Sequence, residues 1–140
     1  MATFWNRNRS FRIHLHEVLL RCISLIESHA HGQTLTFDFE NTRMQSTSVI
    51  KEMISDIRAS IPFCFGTIDS AGKVVNNPQP QPIVGYFTII PLYLAMVSAE
   101  DGSETESWLR GKLEYVSDAM GITLAAQLAH RGKKDPWDIR

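Results

Sequence analysis

Gly85-Tyr86-Phe87-Thr88-Ile89-Ile90-Pro91-Leu92-Tyr93-Leu94-Ala95-Met96-Val97 carries no polar side-chain group beyond Thr88 and two tyrosine hydroxyls. An element apolar on every side has to be enclosed by protein or by lipid. Thirteen residues fall well short of the roughly 20 that a membrane-crossing helix needs. The stretch therefore reads as a central helix, over about 84–98, with the other elements packed around it. Pro91 lacks a backbone donor and should bend or restart that helix.

Working outward, the pattern predicts an all-α fold. A small irregular helical bundle surrounds the central apolar helix and carries one long Pro/Asn-rich loop. Residues 1–132 form a single helical domain and 133–140 a polar tail. A chain of 140 residues is one domain by length and large enough for a real core. With 14 basic and 15 acidic side chains the formal charge is −1, so no global footprint for nucleic acid or an anionic membrane exists. Two cysteines, Cys22 and Cys64, sit far apart in apolar surroundings and read as reduced and buried. No secretory signal is expected, because Asn6, Arg7, Asn8, Arg9 and Arg12 interrupt the N-terminus before any apolar run.

In chain order, Phe11 to Ser28 reads as a first helix, with Ser10 as N-cap or a start nearer Thr3. Phe11, Leu15, Val18, Cys22 and Leu25 form its apolar stripe, widened by Leu19 and Ile26. Gln33 to Ser48 alternates only briefly and is expected to be an extended loop whose Leu35, Phe37 and Phe39 dock on the core. A second helix spans about Thr47 to Ser60. It buries Ile50, Met53, Ile54 and Ile57, with Lys51, Glu52, Asp56 and Arg58 forming surface pairs, and Pro62 stops it. Thr67 to Pro82 is a loop. Ser103 and Glu106 fit a capping box that opens a helix ending at Gly121. A short last helix uses Ile122, Leu124, Ala125, Leu128 and Ala129 and stops at Gly132.

Candidate chemistry is sparse. His14 and Glu17 share a helix face and His16 points elsewhere; without a third ligand at metal spacing, no metal site is expected. No cofactor motif is present. Cys64, between Phe63 and Phe65, reads as an inert structural thiol. Asp38 and Glu40 flank Phe39 as a conceivable carboxylate pair, with solvated loop acids the simpler reading. Tyr86 and Tyr93 each place a phenol in an apolar setting, so each hydroxyl needs a partner, either backbone or ligand. No basic stripe with interleaved aromatics supports direct nucleic-acid binding.

Three stretches then carry a family likeness. Phe4-Trp5-Asn6-Arg7-Asn8-Arg9-Ser10-Phe11-Arg12-Ile13-His14-Leu15-His16-Glu17 resembles a W-N-x-x-R-x-x-R-I-x-L-H-E segment. Ile57-Arg58-Ala59-Ser60-Ile61-Pro62-Phe63 resembles I-x-A-S-[VI]-P-[FY]. Gly85-Tyr86-Phe87, Pro91-Leu92-Tyr93-Leu94-Ala95, Trp108-Leu109 and Met120-Gly121-Ile122 resemble G-Y-F…W-P-L-Y-x-A…W…M-G-I. Together these resemble the C-terminal region of fungal-specific Zn2Cys6 transcription factors. Ile90 stands where that family usually has tryptophan, and Cys64 where histidine is common. Two cysteines cannot build the six-cysteine DNA-reading cluster.

The resemblance implies a regulatory, protein-interaction module in the nucleus or cytoplasm, tied to a fungal secondary-metabolite gene cluster. It would pair with itself or with a related full-length regulator, with a small apolar ligand conceivable and neither nucleic acid nor membrane contacted directly. A truncated helical array leaves apolar faces that need covering. The competing expectation is a small biosynthetic enzyme, an isomerase or cyclase, using His14, His16, Glu17, Tyr86 and Tyr93 around an apolar pocket.

Overall fold

The computed structural model of the chain describes residues 2–29 and 39–131. Among these residues the fold is all-α, with five helices: α1 (Ala2–His29), α2 (Phe39–Cys64), α3 (Pro82–Ser98), α4 (Glu104–Met120) and α5 (Thr123–His130). The expected Gly32 and Gly132 stops, the docking of Leu35 and Phe37, Asp38 and the polar tail lie outside the described residues.

Helix α3 is the central element, and it touches each of the other four helices. Ile89, Leu92, Ala95 and Met96 are buried on it, facing Ile13 of α1, Ile57 and Ile61 of α2, and Leu109, Leu113 and Val116 of α4 in one continuous core. Thr88 is buried too, and its hydroxyl donates to the Gly85 carbonyl at 2.9 Å, so it costs nothing in unmade hydrogen bonds. The helix runs through Pro91. Proline removes the donor that would serve the Phe87 carbonyl one turn earlier, and Phe87 stands on the solvent side.

The enclosure expected of α3 is only half realised. Ile83, Tyr86, Phe87 and Ile90 are exposed, so one face of the apolar helix is open. Gly85 sets how closely the other face approaches α4. A Cβ there would fall directly onto Met120 Sδ, with Val116 Cγ1 and Ile122 Cδ1 each 3.3 Å away.

Helix α1 begins near Thr3 rather than at Ser10, which is interior and donates to the Arg7 carbonyl at 2.8 Å. Its rotation is the main departure from the expected fold. Phe11, Leu15, Val18, Leu19, Cys22, Leu25 and Ile26 are all exposed, whereas Asn6, Ser10, Ile13 and Ile23 are buried. Cys22 is therefore not buried; Cys64 is partly so. The physical reason is a set of polar contacts on the opposite face, described with the candidate site.

Helix α2 starts at Phe39, so the second half of the expected extended loop is helical. Its weak local pattern is overridden by packing along α1, where Arg43 pairs with Glu27 at 2.5 Å and Ser46 meets His16. Ile50, Met53, Ile54 and Ile57 are buried as expected, and the helix passes Pro62 to end at Cys64. The expected surface pairs form between helices instead: Asp56 binds Arg9 of α1 at 3.2 Å, and Arg58 binds Glu104 of α4 at 2.6 Å. Arg58 also lies over the Trp108 ring at 5.4 Å.

The following loop is pinned by an isolated antiparallel bridge, Ile68 to Val74, around the Asp69 carboxylate, which accepts from the Ala71 and Lys73 amides. Helix α4 opens with the Ser103 half of the expected capping box, while Glu106 reaches the amide one residue before the cap. Ser103 Oγ accepts from the Glu106 amide at 3.1 Å, while Glu106 reaches the Gly102 amide at 2.7 Å. Gly121 ends it in the left-handed region, φ 74. Arg110 ties α4 to α5 by donating to the Ala129 carbonyl.

Replacing Gly85 by alanine is expected to destabilise the fold by about 1–3 kcal/mol through overpacking. Pairing Gly85→Ala with Met120→Ala should recover part of that loss, so the double variant falls short of the sum of the singles in urea titrations. Strict additivity would show that Gly85 does not set the α3–α4 approach.

Candidate functional site

The site begins with the rotation of α1. Asn6 is fully buried, and a buried amide must be satisfied. Its Oδ1 accepts from Ser60 Oγ at 2.8 Å and from Arg9 at 3.0 Å, while its Nδ2 donates to Cys64 Sγ at 3.7 Å. Arg9 continues to Asp56 at 3.2 Å, and further along the helix His16 Nδ1 meets Ser46 Oγ at 3.1 Å. This network fixes which side of α1 faces α2. Burial pushes the Cys64 thiol above its ordinary pKa, with the positive charge of Arg9 opposing, so the thiol stays protonated and inert at neutral pH.

With its polar side turned inward, α1 turns Phe11 outward beside the open face of α3. Between them lies a groove of about 430 Å³. Its walls are Phe11 from α1, Tyr86, Phe87, Ile90 and Leu94 from α3, and Leu124 from α5, with Arg7, Ser10 and His14 supplying the polar edge. Tyr86 and Phe87 stand edge to face at 5.8 Å, and the Arg7 guanidinium rests 5.9 Å from the Phe11 ring centre. The Ser10 hydroxyl is already committed to the Arg7 carbonyl. The groove's walls are thus largely apolar and aromatic, with a cation at its edge.

Of the five candidate residues, the groove brings together His14 and Tyr86. Tyr86 is 62% exposed, against the expectation that its phenol is enclosed. His16 faces Ser46 on α2, and Glu17, half-buried, does not line the groove. Tyr93 is 6% exposed within the core, and its hydroxyl has no hydrogen-bond partner among the described residues. Glu40 lies exposed in the first turn of α2. Among the described residues no three His, Cys, Asp or Glu side chains converge as a metal site would need. No described helix is long and apolar enough to cross a membrane.

The quoted family-like stretches meet in space. Asn6 of the first accepts a hydrogen bond from Ser60 of the second. In the third, Gly85 abuts Met120 and Ile122. Sequence reasoning missed Asn6 and Ser10 as buried groups, and Arg7 and Leu124 as groove residues. Asn6 is legible only as part of a motif, and Leu124, expected among the apolar positions of the last helix, is exposed at the groove instead.

Fold and groove together define an all-α module with an open apolar face. In sequence the chain is 25% identical over 136 residues to the transcription factor dbaG of Emericella nidulans, an alignment covering 92% of this chain and 30% of that protein. The chain is thus similar to part of a fungal transcription factor and spans under a third of that relative's length. No protein-family model and no solved structure matches it.

Because the Tyr93 hydroxyl is buried without a partner, Tyr93→Phe should leave stability unchanged or raise it by about 1–2 kcal/mol. A clear fall in the urea midpoint would reveal a partner for that hydroxyl.

Proposed function

We propose that this chain is a transcription-factor-like regulatory module that acts through protein contacts, with neither a DNA-reading cluster nor catalysis of its own. The observation that carries this reading is the groove between α1 and α3, which leaves Phe11, Tyr86, Phe87 and Ile90 open to solvent. Apolar surface gathered in one place marks an interaction site. Similarity to part of dbaG supports the regulatory setting. The finer reading is a region like the C-terminal part of Zn2Cys6 regulators. It would work in the nucleus or cytoplasm with another regulator as partner, in the service of a fungal secondary-metabolite gene cluster.

The enzymatic alternative draws less support. A proton-transferring isomerase or cyclase needs an acid and a base within reach of one substrate. Among the described residues, only His14 and Tyr86 of the candidates reach the groove, and no carboxylate lines it.

Fused to an unrelated DNA-binding domain, the chain is expected to change transcription of a matching reporter several-fold in a fungal host. Phe87→Glu and Ile90→Glu, both at exposed positions, should abolish the change while leaving the circular dichroism spectrum intact. A reporter that ignores the fused chain would overturn the regulatory reading.

A further inference from the structure

The exposed side of α1 has a regularity that an ordinary solvated face lacks. Phe4, Asn8, Phe11, Leu15, Val18, Cys22 and Leu25 follow one another at alternating steps of four and three residues, and every one is exposed. That spacing is the heptad seam of a coiled coil. Phe4 and Leu15 are 68% and 66% exposed, and Val18, the least exposed large apolar residue of the seam, is still 41% exposed. The seam runs for about 30 Å at 1.5 Å per residue. Asn6, Ser10, Ile13 and Ile23 occupy the other side of the same helix and hold it to the core. Helix α1 therefore carries two faces, one packed inward and one built for a second helix.

The flanks of the seam say which helix fits. Arg7, His14 and Arg21 lie along one edge; Trp5, Arg12, Leu19 and Ile26 lie along the other. No carboxylate occurs in the seam or on either edge. A parallel second copy would set Arg7 against Arg12, and an antiparallel copy would set the Arg7–His14–Arg21 edge against itself. Like charges facing across a coiled coil disfavour pairing and steer the choice of partner. We propose that α1 docks an amphipathic helix of a different protein chain, whose apolar stripe is flanked by Asp or Glu. Asn8, polar in an otherwise apolar seam, fixes the register of that helix. The proposal rests on the regulatory reading for its biological setting, although the seam itself is a property of α1.

Two synthetic peptides as long as α1 test it, each with leucine at the seam positions, one with glutamate and one with lysine at the flanks. Each repels itself, so helicity gained on mixing reports binding to the chain. By fluorescence anisotropy the glutamate peptide should bind at least about tenfold more tightly than the lysine peptide, with the gap narrowing as salt rises. Charge reversal at Arg7→Glu with Arg12→Glu should invert the preference. Leu15→Glu or Val18→Glu should abolish binding, and since both positions are exposed, the melting temperature should hold. Equal affinity for both peptides, no binding by the folded chain, or a seam-dependent homodimer in sedimentation that excludes the peptide would each overturn the proposal. Equally tight binding of duplex DNA abolished by the Arg7/Arg12 reversal and untouched by Leu15→Glu would also overturn it. A silent reporter with peptide discrimination intact would sink only the regulatory reading.

Discussion

One buried amide governs the arrangement of this chain. Asn6 has to be satisfied inside the protein, and Ser60, Arg9 and Cys64 satisfy it. Leaving such a group unpaired costs about 1–3 kcal/mol, more than many single apolar contacts return. That requirement selects the rotation of α1 on α2, and the rotation in turn decides which residues meet solvent. A helix whose apolar stripe is wider than its buried side cannot satisfy both; here the polar contacts and Ile13 take the interior.

The second constraint is steric and lies between α3 and α4. Gly85 lets Met120 and Ile122 come up against the α3 backbone, which draws α4 over one side of α3 and leaves the other side to α1 and the groove. Arg58 then straps α2 to the start of α4 through Glu104, Thr105 and Trp108. The exposed Arg58–Glu104 ion pair contributes little by itself. Its value is positional.

Much of the fold was legible. The apolar run at 85–97, the Ser103–Glu106 cap and the glycine at 121 each announce an element by local chemistry, and each element is present. Pattern reading failed where two faces compete. Periodicity finds the apolar side of α1 and assumes it is the buried side; only the tertiary partners of Asn6 and His16 reveal the reverse. The start of α2 was missed because its first turns have little apolar rhythm and depend on α1 for support. At the groove, Tyr86 and His14 are residues that side-chain type alone singles out, whereas Arg7 and Leu124 gain their place only when three helices meet. Tyr93, also a candidate by residue type, belongs to the core and not to the groove.

The loop from residue 65 to 81 joins two parts that share a core without sharing a continuous helix. Helices α1 and α2 offer Ile13, Ile57 and Ile61; α3 to α5 offer Ile89, Leu92 and Leu113. Neither half can shield these side chains alone, and the bond between the halves is packing rather than the peptide link, since the loop is largely exposed. The chain is in that sense a natural split protein. Its two pieces, produced separately, would recognise each other by fragment complementation, and a single proteolytic cut in the loop would leave the assembled molecule standing.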